Sequence, residues 1–507
     1  MPLGSRLRRW CARSVACLPL LAGACGSSPA HSQREAEIAS VMARADQSLI
    51  ENRPRLVAGK YARMSTGVYD YYRGSVPVFE HDWREASQGI ARSDFALAAP
   101  LVLSTSDAHP ENFGLLLGSD GRLALEPNDF DGADLVPYLW DLRRLAVGML
   151  IGAQQSNPTD ADARAAVRAR QDDVVRAVAR GYLDGIRAQA RQRQRTRITD
   201  GLANPILVDL FRRGNKDLAS RDELDQLTEL EASGRRRLLR GPPDSSDPQE
   251  VLADLPRWAY DALPAVLSEY RLGRLIDPPS ADALQLLDAA RLFGKGVASW
   301  PRLKILLLLR GDTDAPDDDL ILELKELGDA GVSGWRPPGV YFNDVQERIR
   351  MTTWRLWSRK DAEPLWGTAS YFGFPVQLRR ESEAQKTLRT DRFEDAEGTP
   401  EAIIGLARIL GGLLAELHAT PSDVSAAPAK AIAGRIGTRD EAFIDEQLQV
   451  ALAYADQVTR DLTDFRRALA DLGLDLGLPQ RPGAPRAKPD LEALLGAPPS
   501  PPNPVAP

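Results

Sequence analysis

The chain has 507 residues, with 64 Lys or Arg against 71 Asp or Glu, which gives a net charge of −7. A net negative charge argues against nucleic-acid binding through bulk positive charge, so we expect no nucleic-acid partner. Hydrophobic residues make up 43% and charged residues 27% of the chain, a balance typical of a soluble globular protein and not of a disordered one. The cysteines are Cys11, Cys17 and Cys25, so any metal bound after residue 25 must have oxygen or His ligands.

The N-terminal segment has the order of a bacterial lipoprotein signal. Four arginines between residues 6 and 13 precede an apolar stretch at residues 15–21, and small residues precede Cys25. This order predicts removal of residues 1–24 as a signal peptide and lipidation of Cys25. An ordinary secretory signal and an accidental apolar N-terminus are the alternatives. We therefore expect a bacterial cell-envelope protein that is anchored to a membrane by lipid and faces the extracytoplasmic side.

Helical periodicity dominates the rest of the chain. Residues 25–50 are expected to form a linker and the start of the first helix, and apolar residues recur at helical spacing through 160–190. Gly and Pro cluster at 241–250, which predicts a surface loop between a hairpin-containing helical part and a later sheet lobe. The predicted divisions around that loop are residues 51–240, residues 251–420, a C-terminal helical segment at 421–478 and a Pro-rich tail at 479–507.

Two short apolar runs, residues 115–117 and 122–125, flank a Gly-rich connection and predict a β-hairpin. A hairpin returns the chain to its starting end. Asn112 and Asp129 are therefore expected to lie close together at the open end of the hairpin, with Asp107 beside them.

These side chains and two of their neighbours form a candidate site. The oxygens of Asn112 and Asp129 suit Mg²⁺ or Mn²⁺, and Asp131 offers a further metal ligand. Asp107 and His109 are the candidate catalytic side chains. Taken singly, each Asp or Asn is also a common turn former, and a lone His is more often a hydrogen-bonded structural residue. The order of an orienting Asp, a metal-binding Asn and a metal-binding Asp is the order that phosphoryl transfer uses.

The same stretch of chain carries a family resemblance. Segments 106–114, 128–133 and 140–146 resemble motifs of an uncharacterised bacterial family catalogued as domain of unknown function 2252, and shorter motifs at residues 60–64, 72–75, 323–326 and 454–457 agree. The resemblance covers about residues 50–465. The chain departs from the family pattern at Ser106, where Gly is usual, and at Gly132, where Glu is usual. Membership of this family implies no function.

The motifs D-x-H-x-x-N and N-D-F-D also resemble the catalytic loop of aminoglycoside phosphotransferases and related kinase-like enzymes. That resemblance implies that Asp107 is the catalytic base and that Asn112 and Asp129 are metal ligands. It further implies that Asp141 is a buried residue that braces the loop, and that ATP is a cofactor. In such enzymes a lobe with a glycine-rich loop and a Lys precedes the catalytic loop.

A second cluster of strand-like segments follows the hairpin instead of preceding it. Gly294 and Gly296 lie in a turn before an apolar run at residues 303–309, and a second run carries Lys325. In a kinase-like nucleotide lobe, a glycine-rich turn is followed by a strand and then by a strand that carries Lys. Glu347, on a predicted helix, is the candidate partner of Lys325. Taken singly, these two side chains are more typical of a strand surface and a helix surface.

We therefore predict an α+β, mainly helical protein with a kinase-like fold in rotated segment order. A small antiparallel sheet is expected at residues 291–326 and the catalytic hairpin at 103–131, within a larger helical part. The leading function is a metal-dependent phosphotransferase that uses ATP and Mg²⁺ or Mn²⁺ on a small molecule or an envelope component. A phosphoester hydrolase and a catalytically silent binding module are the alternatives, because ATP is scarce outside the cytoplasm. The sequence leaves the substrate and the oligomeric state open.

Overall fold

The computed structural model describes residues 33–85, 89–97, 101–155, 161–191, 194–241, 250–274, 276, 284–328, 344–395, 399–477 and 495. The predicted signal peptide at residues 1–24, Cys25, and most of the predicted loop and tail lie outside the described residues. No helix within these ranges is long and apolar enough to cross a membrane.

Helices make up the larger part of the described chain. In order along the sequence they are α1 (Gln33–Ala45), α2 (Gln47–Asn52), α3 (Pro54–Met64), α4 (Val68–Gly74), α5 (Val76–Arg84), α6 (Tyr138–Gln155), α7 (Ala161–Ala169), α8 (Gln171–Ala190), α9 (Pro205–Ser220), α10 (Asp222–Leu227), α11 (Arg257–Tyr260), α12 (Leu263–Leu272), α13 (Val345–Leu356), α14 (Thr399–His418), α15 (Pro428–Ile436) and α16 (Asp440–Leu472).

The largest apolar core lies among α6, α8, α14 and α16. Glycines let two of these helices approach closely: a Cβ on Gly181 of α8 would lie 2.0 Å from the carbonyl oxygen of Arg408 on α14. A Cβ on Gly411 of α14 would lie 2.2 Å from the carbonyl oxygen of Val178 on α8. The close packing of α8 against α14 therefore leaves no room for a side chain at either position.

Strands of the described residues form one large sheet and three small ones. They are β1 (Val102–Ser104), β2 (Phe113–Leu117), β3 (Leu123–Pro127), β4 (Asp134–Val136), β5 (Thr228–Leu230), β6 (Arg236–Leu238), β7 (Val251–Asp254), β8 (Leu286–Phe293), β9 (Lys304–Leu309), β10 (Leu320–Glu326), β11 (Gly367–Tyr371) and β12 (Phe374–Arg380). The large sheet is antiparallel with the order β11-β12-β10-β9-β8-β7, and the pairs β1–β4, β2–β3 and β5–β6 are separate. The predicted hairpin is β2–β3, with Phe113 opposite Pro127 and Leu117 opposite Leu123.

The two faces of the six-stranded sheet differ in polarity. Leu322 and Leu324 of β10 point into an apolar core under α11 and α12, as strand alternation requires. The alternate residues Glu323 and Lys325 lie on the opposite face, toward the hairpin. Lys304 of β9 is directly opposite Lys325 in the register, so charged side chains collect at this end of the sheet.

The mainly helical α+β class is confirmed, and three details differ from the prediction. The sheet is larger than residues 291–326, because β7, β11 and β12 join it from segments on either side of that stretch and β8 begins at Leu286. The expected helix at 160–190 is two helices, α7 and α8, separated at Arg170. Leu495, placed by the prediction in an extended tail, is buried in the core under α11, and its carbonyl oxygen accepts a hydrogen bond from Arg291 (3.2 Å).

Candidate active site

A cleft of about 380 Å³ opens between the end of the β2–β3 hairpin and the charged end of the six-stranded sheet. We name it the hairpin cleft. It contains most of the side chains that the sequence proposed for chemistry, from both the hairpin and the sheet. Those that line it are Asp107, His109, Asn112, Asp129, Asp131, Gly296 and Lys325.

A short 3₁₀ turn, Pro110–Asn112, places Asn112 just before β2. The side-chain nitrogen of Asn112 donates to the carbonyl oxygen of Asp107 (2.7 Å), and its backbone nitrogen donates to the carbonyl oxygen of His109 (2.9 Å). Across the hairpin, the backbone nitrogen of Asn128 donates to the carbonyl oxygen of Asn112 (3.1 Å). The side-chain oxygen of Asn112 is therefore the atom that can serve a ligand.

Asp107 is bound by an arginine to which the sequence analysis gave no role. Arg144, buried in α6, donates to Oδ1 of Asp107 through Nε (3.1 Å) and Nη2, and the other oxygen lies 3.7 Å from Nε2 of His109. Burial raises the pKa of Asp107; Arg144 opposes this shift and the charge of Asp129 adds to it. Burial, with the charges of Arg73 and Arg144, holds the pKa of His109 well below its usual value, so this imidazole is neutral.

A buried hydrogen-bond chain fixes the backbone before Asp107. The hydroxyl of Ser104 bonds to Oδ2 of Asp141 and accepts from the backbone nitrogen of Ser106 (2.7 Å). The indole nitrogen of Trp140 donates to the carbonyl oxygen of Ser106 (2.8 Å), and Nε2 of His418 lies 3.5 Å from Asp141. Asp141 thus reaches the loop through Ser104, at the place where the resemblance implied a brace.

Lys325 reaches across the cleft to the hairpin. Its Nζ lies 2.8 Å from Oδ2 of Asp131 and 3.6 Å from Oδ1 of Asp129, and the backbone nitrogen of Asp131 donates to that Asp129 oxygen (3.1 Å). Burial raises the pKa of Asp129, but Lys325 and the Asp131 amide outweigh it, so this pKa lies below its usual value. Burial and the Asp129 charge outweigh Lys325 at Asp131, whose pKa is raised. Within the described chain, Oδ1 of Asp131 is buried with no hydrogen-bond partner.

Two glycines shape the turn between β8 and β9. Gly294 has φ of +84° and Gly296 has φ of +89°, both in the left-handed region that favours glycine. Gly296 lines the hairpin cleft. Gly294 directly follows the last residue of β8 and is not among the described residues that line the cleft. A Cβ on Gly296 would lie 2.6 Å from Oγ of Ser299, so the turn leaves little room for a side chain there.

The expected ion pair between Lys325 and Glu347 is not formed. Glu347 lies in the first turn of α13, where the side chain of Asp344 accepts a hydrogen bond from its backbone nitrogen (2.9 Å). It is not among the described residues that line the cleft. The hairpin carboxylates Asp129 and Asp131 neutralise Lys325 instead, because the sheet presents this strand to the hairpin and not to α13.

Several basic side chains in the cleft were not proposed from the sequence. They are Lys60, Arg73, Lys295, Arg302, Lys304 and Arg379. The described wall thus contains seven Lys or Arg, counting Lys325, against six Asp or Glu, in a protein whose net charge is −7. The cleft is therefore less negative than the chain as a whole, which suits an anionic ligand. For Lys60 and Arg73 a signal existed, since both lie in short motifs shared with the family.

The side-chain oxygens of Asn112, Asp129 and Asp131 suit a metal ion that is bound together with a phosphate group. No three His, Cys, Asp or Glu side chains of the described residues form a metal-binding group by themselves. The predicted donors are two carboxylates, Asp129 and Asp131, and the amide oxygen of Asn112. Mg²⁺ is commonly bound through one or two carboxylates plus waters and substrate phosphates, so this small donor set and the unused Asp131 oxygen fit it.

Comparison with known families gives one match. A family described as an uncharacterised protein conserved in bacteria, DUF2252, matches residues 52–468. The chain belongs to the DUF2252 family. No curated protein and no solved structure matches it significantly. The DUF2252 segment includes every described residue that lines the cleft except Ala45, Asp46 and Leu49, so the cleft is built almost wholly from the part of the chain that defines the family.

Proposed function

We propose that this DUF2252 protein is a metal-dependent, kinase-like phosphotransferase that uses ATP with Mg²⁺ or Mn²⁺ on a small molecule or an envelope component. The observation that supports it best is the position of Lys325, whose ammonium faces Asp129 (3.6 Å) across a cleft that the Gly296 turn also lines. A lysine, an oxygen-bound metal and a carboxylate that orients the acceptor are the groups that phosphoryl transfer requires.

Each residue then has a separate task. Asp107 accepts or orients the proton of the acceptor hydroxyl, and its raised pKa makes it a stronger base than an ordinary exposed Asp. Asn112 and Asp129 hold the metal, which would supply positive charge where negative charge grows on the transferred group. Lys325 neutralises phosphate oxygens from the sheet side, and Arg144 keeps the Asp107 carboxylate oriented.

A phosphoester hydrolase is the second candidate, and one observation favours it. Asp131 lies beside Asp129 with a buried oxygen that no described residue uses, so a second metal ligand is available without any nucleotide. This alternative also agrees with the proposed location in the bacterial cell envelope, where ATP is scarce. The third candidate, a silent binding module, is favoured by the ion pair that occupies Oδ1 of Asp107.

Thermal unfolding with different ligands separates the three candidates. A ligand that binds only the folded state raises the melting temperature in proportion to its free-energy contribution. An increase with ATP plus Mg²⁺ that exceeds the increase with Mg²⁺ or Mn²⁺ alone is expected for the phosphotransferase. An equal increase with metal alone indicates the hydrolase, and no increase with either contradicts both enzymatic proposals.

A further inference from the structure

Lys304, the first residue of β9, binds the glycine turn from within the protein. Its side chain is nearly buried, with 4% exposed, and Nζ donates to the carbonyl oxygens of Lys295 (2.7 Å) and Ser299 (2.8 Å). These carbonyls begin and end the turn at residues 295–299, so a single amino group ties the two ends of the turn together. Lys304 also lines the hairpin cleft and lies opposite Lys325 in the sheet register.

The turn offers its backbone amides to a ligand. The backbone nitrogens of residues 296–299 donate to no acceptor among the described residues. Three of its carbonyls, in contrast, accept hydrogen bonds within the protein. Lys295 accepts from Lys304, Val297 accepts from the backbone nitrogen of Trp300 (3.1 Å), and Ser299 accepts from that of Arg302 (3.0 Å) as well as from Lys304. Successive free amides in a turn with left-handed glycines form a concave anion-binding site.

The charges around Lys304 are consistent with its binding to the turn carbonyls. Burial lowers the pKa of Lys304 to about 7, and the charges of Lys325 and Lys295 add to this shift. The charges of Glu323 and Asp131 oppose it. An amine that has lost its proton keeps two N–H bonds, one for each turn carbonyl. Lys304 can therefore hold the turn in either protonation state.

We propose that Lys304 is the positioning residue that keeps the turn at residues 295–299 in the shape that binds a phosphate group through the amides of residues 296–299. The ligand class is the polyphosphate part of a nucleotide, and this assignment rests on the proposed phosphotransferase function. Lys304 acts through the turn, whereas Lys325 meets the same phosphates from β10. The basic side chains of Lys295 and Arg302 lie in the same wall.

The test compares ligands that do and do not carry phosphate. Binding of pyrophosphate, ATP plus Mg²⁺, and adenosine is measured by calorimetry on the full chain and on Lys304→Met, Lys304→Arg and the exposed control Lys216→Met. Lys304→Met is expected to weaken pyrophosphate and ATP binding about tenfold or more and to leave adenosine binding within about twofold. Lys304→Arg keeps N–H donors and is expected to restore part of the loss.

A second variant tests the same turn without touching the lysine. Gly296→Ala places a Cβ against Oγ of Ser299 at a backbone angle that disfavours side chains, so it distorts the turn directly. It should reproduce the phosphate-specific loss and supplies the test if Lys304→Met does not fold. Unchanged pyrophosphate binding in Lys304→Met or in Gly296→Ala overturns the inference, as does an equal loss of adenosine binding.

The outcomes also separate this inference from the proposed function. If the unmodified protein binds pyrophosphate but not ATP, the ATP-dependent function is wrong, while the pyrophosphate comparison still supports or overturns the role of Lys304. If the unmodified protein binds neither ligand, the phosphate site itself is wrong.

Discussion

Ser106 and Gly132 lie against each other beside the loop that carries Asp107: a Cβ on Gly132 would be 3.6 Å from the Cβ of Ser106. They are the two positions at which the resemblance described above implied a departure from the family motifs. Ser106 has φ of +61°, a left-handed conformation that is strained for a residue other than glycine, and its hydroxyl is buried with no hydrogen-bond partner among the described residues. The serine side chain thus lies in the space beside Gly132.

The first prediction concerns Ser106→Gly. Removing the side chain relieves the left-handed strain and the unpaired hydroxyl, while glycine loses more backbone entropy on folding. We expect the free energy of unfolding to rise by about 1 kcal/mol, measured by urea denaturation. Gly132→Ala is the control, because its Cβ would make only ordinary contacts, and should change stability little. A loss of stability in Ser106→Gly would show that the hydroxyl has a partner.

The second prediction separates metal binding from proton transfer. Asp129→Asn should abolish both turnover and Mn²⁺ binding, because it removes the ionised metal ligand. Asp107→Asn should keep Mn²⁺ affinity near that of the unmodified protein and reduce turnover by roughly 100- to 10,000-fold. Turnover and Mn²⁺ titration on the same preparations check both.

Asp120→Asn is the control within the same hairpin. Asp120 lies at the far turn, where it pairs with Arg197 and Arg359 on the surface, so its loss should not affect activity. Equal losses in all three variants would mean that each change unfolds the hairpin. Full activity in Asp129→Asn would contradict every metal-centred mechanism proposed above.

The third prediction concerns Lys325→Met. Removing the ammonium leaves the carboxylates of Asp129 and Asp131 without their shared cation, so we expect stability to fall by about 2 kcal/mol and turnover to be lost. Mn²⁺ binding without nucleotide should be retained or tightened, since the lysine no longer competes for the carboxylates. Lys216→Met, an exposed lysine on α9, is the control. Retained ATP turnover in Lys325→Met would remove the lysine from the proposed mechanism.

The fourth prediction is a pH dependence of stability from Glu363. Burial raises its pKa from 4.5 to about 7, against the opposing charge of Arg379 and the hydrogen bond from the backbone nitrogen of Arg380 (2.8 Å). The folded state therefore keeps a proton that the unfolded state releases. As pH rises from 4.5 to about 7, this group lowers the free energy of unfolding by up to about 3 kcal/mol.

Glu363→Gln removes that contribution and keeps an oxygen for the Arg380 amide. The difference in unfolding free energy, variant minus unmodified protein, should increase between pH 4.5 and 8, measured by urea denaturation at several pH values. Glu347→Gln, at the start of α13, is the control, because it also removes one carboxylate. A pH-independent difference for Glu363→Gln would show that Glu363 binds protons equally in the folded and unfolded states, which contradicts a raised pKa.

The fifth prediction concerns membrane attachment. If Cys25 is the lipidated N-terminus, Cys25→Ser should leave an unprocessed or soluble form, which fractionation and intact mass detect. Cys17→Ser, in the segment expected to be removed, should leave attachment unchanged. Membrane attachment with unaltered mature mass in Cys25→Ser would contradict the lipoprotein proposal.

The pairing of residues at the open end of the hairpin could be predicted, because it depends only on residues that are close together in the sequence. Asn112 and Asp129 flank two apolar runs and a turn, and pairing of those runs brings the two residues together. The loop around Asp107 depends on distant elements, so Arg144 was missed as the partner of its carboxylate. The error at Glu347 has the same origin: sequence order indicates that a strand lysine and a helix carboxylate exist, but not which face of the sheet the helix meets.

The contacts of Lys304 could not be predicted from the sequence, for a different reason. An apolar run that begins with Lys is a common strand pattern, and nothing in it indicates that the amino group turns back to two carbonyls of the preceding turn. The predicted meeting of Gly296 and Lys325 with the hairpin is found, because the structure brings them into one cleft with Asn112 and Asp129. The kinase-like segment order itself stays a prediction.

Leu495 lies beyond residue 468, where the DUF2252 match ends, yet its side chain is only 5% exposed in the apolar core beneath α11. The segment that defines the family is therefore shorter than the segment that folds. An evolutionary boundary placed at 468 would separate a core side chain from the β8 strand whose Arg291 binds its carbonyl oxygen. The packed core of this protein thus extends past the end of the family match.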